Sequence, residues 1–269
     1  MTALSARVSI ARGRPRAARV GGLGLGLATL YLSVIVLIPL AAVAVKALSQ
    51  SPSDLWASIS NASVVQALIV TLGAALLTAV IGAVMGTVIA WVLVRDEFPG
   101  RRIINALIDL PFALPTVVAG LTLLALYGPD SPFGVHLAYT RAAVLVALLF
   151  VTLPFVVRSV QPVLLELDRE VEEAAASLGA SGAVTFRRVI LPALRPAILS
   201  GAALAFARSV GEIGSLLLIV GKVQIASIVI FGDIESDTPQ AAASLSLVLI
   251  IISLVVLAMI RRLGGRVAH

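Results

Sequence analysis

The sequence contains no cysteine and only two histidines among its 269 residues. The lack of cysteine excludes disulfides, thiolate metal sites and cysteine nucleophiles. His136 and His269 stand far apart in the chain, which argues against a histidine-based metal centre. The residues that most often carry metal or nucleophilic chemistry are therefore missing or isolated.

Charged residues are also scarce, at 13% of the chain, whereas a soluble domain carries about a quarter. Apolar residues make up 59%, and the mean hydropathy is +1.08. A chain of this composition cannot keep most of its surface in water. We therefore expect most of it to lie in lipid.

The sequence shows no nucleotide-binding motif. A P-loop needs two glycines at a fixed spacing, then lysine and a hydroxyl residue. The one Gly-Lys pair, Gly221-Lys222, is followed by Val223, and Leu216 stands where the first glycine belongs. A catalytic triad and an H-E-x-x-H zinc motif are also missing. We expect no catalytic residue, metal site or cofactor on this chain, so any ATP hydrolysis belongs to a partner.

Six charge-poor stretches are long enough to cross a membrane as helices, which takes about 20 apolar residues each. They cover about residues 24–48, 64–94, 107–128, 142–165, 198–221 and 241–260. The uncharged run at 20–45 is too long for the apolar core of a signal peptide, about 7–15 residues. The first stretch is therefore predicted to be a retained span.

The basic residues predict the orientation of these spans. With the N-terminus in the cytoplasm, 16 of the 20 basic residues fall on the cytoplasmic side, as the positive-inside rule requires. This placement explains the net charge of +6 without nucleic acid. We predict a basic cytoplasmic tail at 1–22, a six-helix transmembrane domain at 23–262 and a C-terminal tail at 263–269, with both termini cytoplasmic.

Small residues and prolines predict how the spans pack. Gly82 with Gly86, and Gly201 with Ala205, form small-xxx-small steps, which let helices approach closely in lipid. Abundant glycine and alanine would give some such steps by chance. Two prolines, at 111 and 115, should bend or break the third span.

An acidic residue lies beside the first of these prolines. Asp109 is predicted to pair with a nearby arginine, Arg101 or Arg102, in a structural role.

The longest internal polar stretch, residues 166–195, separates the fourth and fifth spans. Apolar residues recur in it at steps of three and four, and acidic residues recur on another face, which indicates an amphipathic helix. The apolar series is Leu164, Leu167, Val171, Ala174 and Leu178, and the polar series is Glu166, Glu170, Glu173 and Ser177. The pattern alone leaves open a solvated loop or a docking knob.

The rest of this stretch predicts a second short helix. Gly179 suits the position just after a helix end, and Ser181 suits the cap of the next helix. We expect Leu191-Pro192 to end that helix, because the residue before proline is pushed out of the helical region. Pro196 would then open the fifth span at its first turn.

The spacing of these residues resembles the EAA loop of ABC importer permeases. The residues that carry the resemblance are Glu173, Ala174, Ala175, Gly179, Val189, Leu191 and Pro192. The resemblance implies an all-α membrane protein with six transmembrane helices and the type I importer permease (MetI-like) fold. In that family the loop fits a cleft on the ATPase subunit, and closure of the ATPases rocks the spans between inward-open and outward-open states.

Three further segments, 112–121, 155–164 and 206–214, look like the T-type permeases of bacterial sulfate/thiosulfate importers. Molybdate permeases share the plan, but Phe-Ala-Leu-Pro-Thr at 112–116 favours sulfate. The resemblance implies two ATPase subunits, a second permease resembling the W-type and an extracytoplasmic sulfate/thiosulfate-binding protein, assembled in the bacterial inner membrane. The segment after Gly221 is shorter than the family pattern and lacks an Asn-x-Pro-like stretch. The choice among sulfate, thiosulfate and molybdate stays open, as does a heterodimeric or homodimeric permease pair.

Two charges fall within the fifth predicted span. Arg208 and Glu212 are four residues apart, on one face if the helix is continuous. Charges at such depth usually face a bundle interior or an aqueous path. They could be a structural ion pair, or they could line an oxyanion path with the hydroxyls of Ser209 and Ser215, where the glycines of the segment leave room.

Two other classes of membrane protein compete with an importer permease. A stand-alone secondary transporter would need internal repeats and coupling-ion carboxylates at mid-membrane, for which only Glu212 qualifies. An intramembrane enzyme would need a nucleophile and base pair, and no candidate pair stands out. The sequence therefore favours the importer permease.

Overall fold

The computed structural model describes residues 22–265, and the regular structure in that range is entirely helical. The chain divides into two compact units at Val43. The first contains α1 and most of α2, and the second contains the remaining helices. In chain order the α-helices are α1 (Gly22–Leu32), α2 (Ile38–Leu48), α3 (Pro52–Ser60), α4 (Ala62–Arg95), α5 (Arg101–Ile108), α6 (Leu110–Ala113), α7 (Thr116–Tyr127), α8 (Arg141–Glu166), α9 (Arg169–Ser177), α10 (Gly182–Thr185), α11 (Leu191–Val210), α12 (Gly214–Ile219), α13 (Ala226–Glu235) and α14 (Pro239–Gly265).

Two π-helical segments join consecutive helices into longer ones. Ser33–Leu37 connects α1 to α2, and Phe186–Ile190 connects α10 to α11. Within the described range, five continuous helices are then long and apolar enough to cross a membrane. They are Gly24–Leu48, Ala62–Arg95, Arg141–Glu166, Gly182–Val210 and Pro239–Ile260. The predicted tail at 1–22 lies outside the described residues except for Gly22, and α14 continues to Gly265, into the predicted C-terminal tail.

The third predicted span is not one helix but three short ones. α5, α6 and α7 divide it, and only α7 is an apolar helix of any length, at 12 residues. The break falls at Leu114 and Pro115, both of which adopt extended backbone. Proline lacks an N–H and pushes the residue before it out of the helical region. The predicted break at the prolines is thus confirmed, and the long helix of this span is confined to Thr116–Tyr127.

The fifth predicted span is displaced toward the N-terminus. Its helix begins at Gly182 and ends at Val210, instead of covering 198–221. Leu191-Pro192 does not end a helix, and Pro196 lies inside α11. The π-segment joins α10 to α11 just before Pro192, because the Leu191 N–H reaches back to the Phe186 carbonyl in a wider turn than an α-helix makes. The predictions for both prolines are therefore wrong.

The helices α4, α8 and α11 pack against one another through small residues. A Cβ at Gly86 would stand 2.8 Å from the Val156 Cβ, and one at Gly201 would stand 2.7 Å from the Val156 Cα. Ala205 is fully buried. Such close approach is the main source of helix association in lipid. The predicted small-residue contacts at Gly86 and Gly201 are therefore real helix crossings.

Candidate functional site: the coupling loop and the interrupted helices

The polar stretch at 166–195, called the coupling loop after its predicted role, begins with α9, whose two ends are well defined. The Asp168 carboxylate accepts from the Glu170 N–H at 3.1 Å, which caps the start. At the other end Gly179 has a φ of +82°, and the Ala180 N–H donates to the Ala175 carbonyl at 3.0 Å. This left-handed glycine with its 6→1 hydrogen bond is a Schellman motif. The predicted stop at Gly179 is confirmed.

Arg95, the last residue of α4, holds α9 in place. Its guanidinium pairs with Glu172 at 2.7 Å and donates to the Leu167 carbonyl at 3.0 Å. Arg169 returns a hydrogen bond to the Arg95 carbonyl at 3.2 Å. The guanidinium also lies 5.9 Å from the centre of the Trp91 ring, within the range of a cation–π contact. The loop is thus fixed to the end of a membrane span.

The apolar face of α9 is largely uncovered. Leu178 is 89% exposed and Val171 is 43% exposed, and Ala174 between them is exposed as well. Glu173, on the polar series, is also exposed. Ala175 is half-buried and faces inward beside Glu172. An amphipathic helix with its apolar face open is suited to contact another protein.

The second half of the loop is the beginning of a membrane span. Val189 is half-buried, while Leu191 and Pro192 are exposed on the helix that runs on to Val210. Ser181 stands at the N-cap of α10, but its side chain makes no capping hydrogen bond. The expected helix-turn-helix is therefore present, with its second helix continuous with the span.

At the far end of that span, Arg208 and Glu212 form an ion pair of 2.6 Å. Glu212 is 1% exposed, and its other carboxylate oxygen accepts the Ser215 N–H at 2.7 Å. Ser227 donates to the Glu212 carbonyl at 2.7 Å. The expectation that the pair shares a helix face is wrong, because α11 ends at Val210. Glu212 instead lies in the interruption before α12.

Two serines beside the ion pair are buried with free hydroxyls. Within the described residues, neither Ser209 Oγ nor Ser215 Oγ has a hydrogen-bond partner. An unsatisfied buried hydroxyl costs about 1–3 kcal/mol, so such groups need a reason to persist. The structure thus brings together Arg208, Glu212 and both serines, the four predicted path residues.

The break between α11 and α12, at residues 211–213, lies next to the break between α6 and α7, at residues 114–115. These two broken segments are called the interrupted helices below. The start of α12 packs on the start of α7, where Gly214 abuts the Thr116 side chain. One turn further along α7, a Cβ at Gly120 would stand 2.6 Å from the Ser215 carbonyl oxygen. The expectation that Gly214 leaves room for an anion is wrong, because α7 fills that space.

Asp109 has a different partner from the predicted one. It pairs with Arg158 of α8, whose Nε and Nη2 donate to its two carboxylate oxygens at 2.7 and 2.5 Å. Arg158 also donates to the carbonyl of Asn105 at 2.7 Å. Pairing with Arg101 or Arg102 is therefore wrong. The contact ties α5 and α6 to α8 across 49 residues of sequence, a distance at which sequence spacing gives no signal.

Sequence reasoning also missed Arg95 as the anchor of the loop. Arg95 counted only as a cytoplasmic positive charge, and Glu172 lay among several acids of the loop. An arginine that ends a span beside an acidic loop is a weak signal for such a pair. Within the described residues, no group of three or more His, Cys, Asp or Glu side chains is placed to hold a metal.

Comparison with known proteins agrees with this architecture. The family model described as "Binding-protein-dependent transport system inner membrane component" matches residues 82–269. The "Sulfate transport system permease protein CysT" of Salmonella typhimurium (strain LT2) is 42% identical over 91% of this chain and 92% of its own. The protein of that name from Synechocystis sp. (strain PCC 6803) is 44% identical over 89% of both chains.

Solved structures agree on the fold. A chain from a bacterial ABC transporter involved in the import of the acidic polysaccharide alginate superposes with a TM-score of 0.75, at 14% identity, over 93% of this chain and 97% of that one. The predicted all-α fold of ABC importer permeases and the predicted family are both confirmed. This chain belongs to the family of binding-protein-dependent transport system inner membrane components, and it is a multi-pass permease subunit of an ABC transporter in the inner membrane.

Proposed function

We propose that this chain is the permease subunit of an ATP-driven importer that carries sulfate or thiosulfate across the inner membrane. The observation that carries the substrate class is the 42% and 44% identity, over about nine-tenths of the chain, to two sulfate transport permeases. A permease for molybdate or another tetrahedral oxyanion is the second candidate, because these anions share charge and shape.

Energy enters through the coupling loop from a partner ATPase. The open apolar face around Leu178, flanked by Glu173, supports a docking role for α9. The residues that we assign to this contact are Glu173, Ala174, Ala175, Gly179, Val189, Leu191 and Pro192. The complete importer contains two ATPase subunits, a second permease resembling the W-type and an extracytoplasmic sulfate/thiosulfate-binding protein.

The loop can pass motion into the membrane by two rigid links. Arg95 joins α9 to the end of α4 through the ion pair with Glu172. The helix Gly182–Val210 runs without interruption from the loop to the Arg208–Glu212 pair. A displacement of the loop by the ATPase therefore moves both α4 and the interrupted helices.

The anion passes the interrupted helices beside Arg208. This side chain is 33% exposed although its partner Glu212 is almost fully buried, which supports access of the anion to Arg208. Glu212 offsets part of its charge, which keeps a dianion from binding too tightly to leave. Ser209 and Ser215 are buried beside the pair, so their hydroxyls would meet the anion only when these helices move apart.

Uptake by the assembled importer tests the proposal. The chain is reconstituted in proteoliposomes with its partner subunits, and uptake of labelled sulfate is measured with and without ATP. We expect ATP-dependent uptake of sulfate by the assembled importer and no uptake by the chain alone. Inhibition by added thiosulfate or molybdate would show that the importer also accepts that anion. Uptake by the chain alone with an ion gradient would instead establish a secondary transporter.

Two variants separate a path role for Arg208 from a structural one. Arg208→Gln leaves Glu212 as a buried unpaired charge, which costs about 3–5 kcal/mol, so it tests both roles together. Arg208→Gln with Glu212→Gln removes that cost. If Arg208 meets the anion, sulfate uptake stays at least tenfold low in the double variant while the protein folds normally. Recovery of uptake in the double variant would show that the pair is structural only.

A further inference from the structure

A basic cavity lies beside the base of the coupling loop, at the opposite end of the spans from Arg208. Its volume is about 450 Å³, and it opens between the end of α4, the start of α5 and the end of α8. The residues that line it are Leu93, Val94, Arg101, Arg102, Asn105, Arg158, Gln161 and Leu165. The proposed transport function uses none of its rim residues.

The floor of the cavity is polar and already satisfied. Arg158 is neutralised by Asp109, and its Nη1 donates to the Asn105 and Gln161 side chains. The Gln161 amide also donates to the Asn105 side-chain oxygen at 3.2 Å. This network fixes the shape of the floor and leaves no net charge there.

The rim of the cavity carries two arginines, Arg101 and Arg102. Within the described residues, Arg101 and Arg102 form no ion pair and no side-chain hydrogen bond, because Asp109, their predicted partner, is taken by Arg158. Glu97 lines a neighbouring depression with both arginines but pairs with neither. Arginine guanidinium groups match phosphate oxygens well, since they present several donors in a fixed plane.

Apolar side chains border the same cavity. Leu165 lines it and is 68% exposed, and α5 exposes Ile103, Ile104 and Leu107. α5 follows directly on the end of the α4 span, where a short helix with arginines and exposed apolar residues suits the membrane interface. The ligand should therefore combine a phosphate with acyl chains, which a free phosphate ion does not.

We propose that this cavity binds the headgroup of an anionic phospholipid. Arg101 and Arg102 contact the phosphate, and the acyl chains lie along Leu165 and the apolar face of α5. The positive-inside count predicts that this end of α4 is cytoplasmic, where anionic lipids concentrate and basic residues near the surface attract them. The site does not depend on which anion the importer carries.

Lipid retention by the full-length chain tests this site. The chain is placed in nanodiscs of phosphatidylcholine with phosphatidylglycerol, and native mass spectrometry counts the lipid that stays bound. We expect preferential retention of phosphatidylglycerol by the wild-type chain. The double variant Arg101→Gln, Arg102→Gln should weaken it on the order of 20-fold, since each basic residue contributes roughly fivefold near a surface.

Controls decide between this site and other causes. Arg14→Gln with Arg16→Gln removes the same charge from the predicted N-terminal tail and should lower retention less than the cavity variant, if the cavity adds to the general attraction of basic residues for anionic lipid. Arg101→Lys with Arg102→Lys keeps the positive charge and should keep most of the retention of phosphatidylglycerol. This second variant tests the role of charge even if the glutamine variant folds poorly. Equal retention of the two lipids by the wild-type chain overturns the proposal. So does displacement of phosphatidylglycerol by millimolar inorganic phosphate, which would identify a free-oxyanion site.

Discussion

The coupling loop and the interrupted helices lie at opposite ends of the helix Gly182–Val210, and they are built differently. The loop leaves large apolar side chains such as Leu178 uncovered and is fixed at its base by Arg95. The interrupted helices also expose apolar side chains such as Leu121, but where they meet each other glycines such as Gly120 bring their backbones into contact. A surface that a partner covers can stay apolar and open. A junction that this chain must close by itself needs residues without side chains.

The largest expected effect comes from filling the contact at Gly120. Gly120→Ala puts a Cβ 2.6 Å from the Ser215 backbone oxygen, so α7 and α12 must move apart. Overpacking of this kind costs about 1–3 kcal/mol, and we expect a lower Tm of the purified protein and loss of sulfate uptake. Gly73→Ala in α4 is the matched control, because a Cβ there meets nothing within 4 Å. A Gly120→Ala protein as stable as Gly73→Ala would contradict the close junction.

Breaking the end of α9 should uncouple the importer without unfolding it. Gly179 has a positive φ that proline cannot adopt, and its N–H bonds to the Ala176 carbonyl at 2.9 Å. In Gly179→Pro we expect the spans to insert normally, while ATP hydrolysis by the partner subunits no longer drives sulfate uptake. The measurement is ATPase activity and uptake in the same proteoliposomes. Full coupled transport by this variant would refute the role of the loop.

A charge on the open face of α9 should weaken docking of the ATPase. Leu178 is 89% exposed, so Leu178→Asp leaves the fold of this chain intact. A leucine buried at an interface contributes about 1.5–3 kcal/mol, so affinity for the ATPase should fall at least tenfold in a pull-down titration. Ser177→Asp adds the same charge one residue away on the polar series and serves as the control. Equal loss in both variants would mean that the apolar face is not the contact.

The smallest effect on transport is expected from loosening the base of the loop, because this change acts on α9 alone. Arg95→Gln removes the ion pair with Glu172 and weakens the hold on the Leu167 carbonyl. Hydrogen bonds of charged groups contribute about 1.5–3 kcal/mol, so α9 should open about tenfold more often. Hydrogen–deuterium exchange over residues 169–177 measures this opening, and Arg187→Gln, a nearby exposed arginine, is the reference. Unchanged exchange in Arg95→Gln would show that other contacts hold α9.

The long helices were predictable because lipid imposes a simple rule. A span needs a long apolar run whose backbone bonds to itself, and such runs are visible in composition at 24–48, 64–94, 142–165 and 241–260. The predicted family also followed from spacing within one loop. The helix end at Gly179 was also predictable from the local sequence, because a left-handed backbone conformation at a helix end favours glycine at that one position.

The predictions failed where contacts between distant parts of the chain overrode local sequence preferences. Pro192 and Pro196 are helix breakers by propensity, yet the helix continues past both of them, with a π-turn just before Pro192. Asp109 pairs with Arg158 and not with arginines closer in sequence, because the packing of α5 and α6 on α8 brings the Asp109 carboxylate next to the Arg158 guanidinium. The interruption at Gly211 had no clear mark in an apolar run, so the fifth span was predicted too far along the chain.

The sequence by itself determined that this is a polytopic permease with a loop resembling the EAA loop, because hydropathy, charge placement and motif spacing are local properties of the chain. Only the tertiary structure decided which arginine meets which acid, where the interrupted helices close on each other, and which face of α9 stays open. These features depend on side chains that are distant in sequence and on backbone contacts that only the assembled helices create.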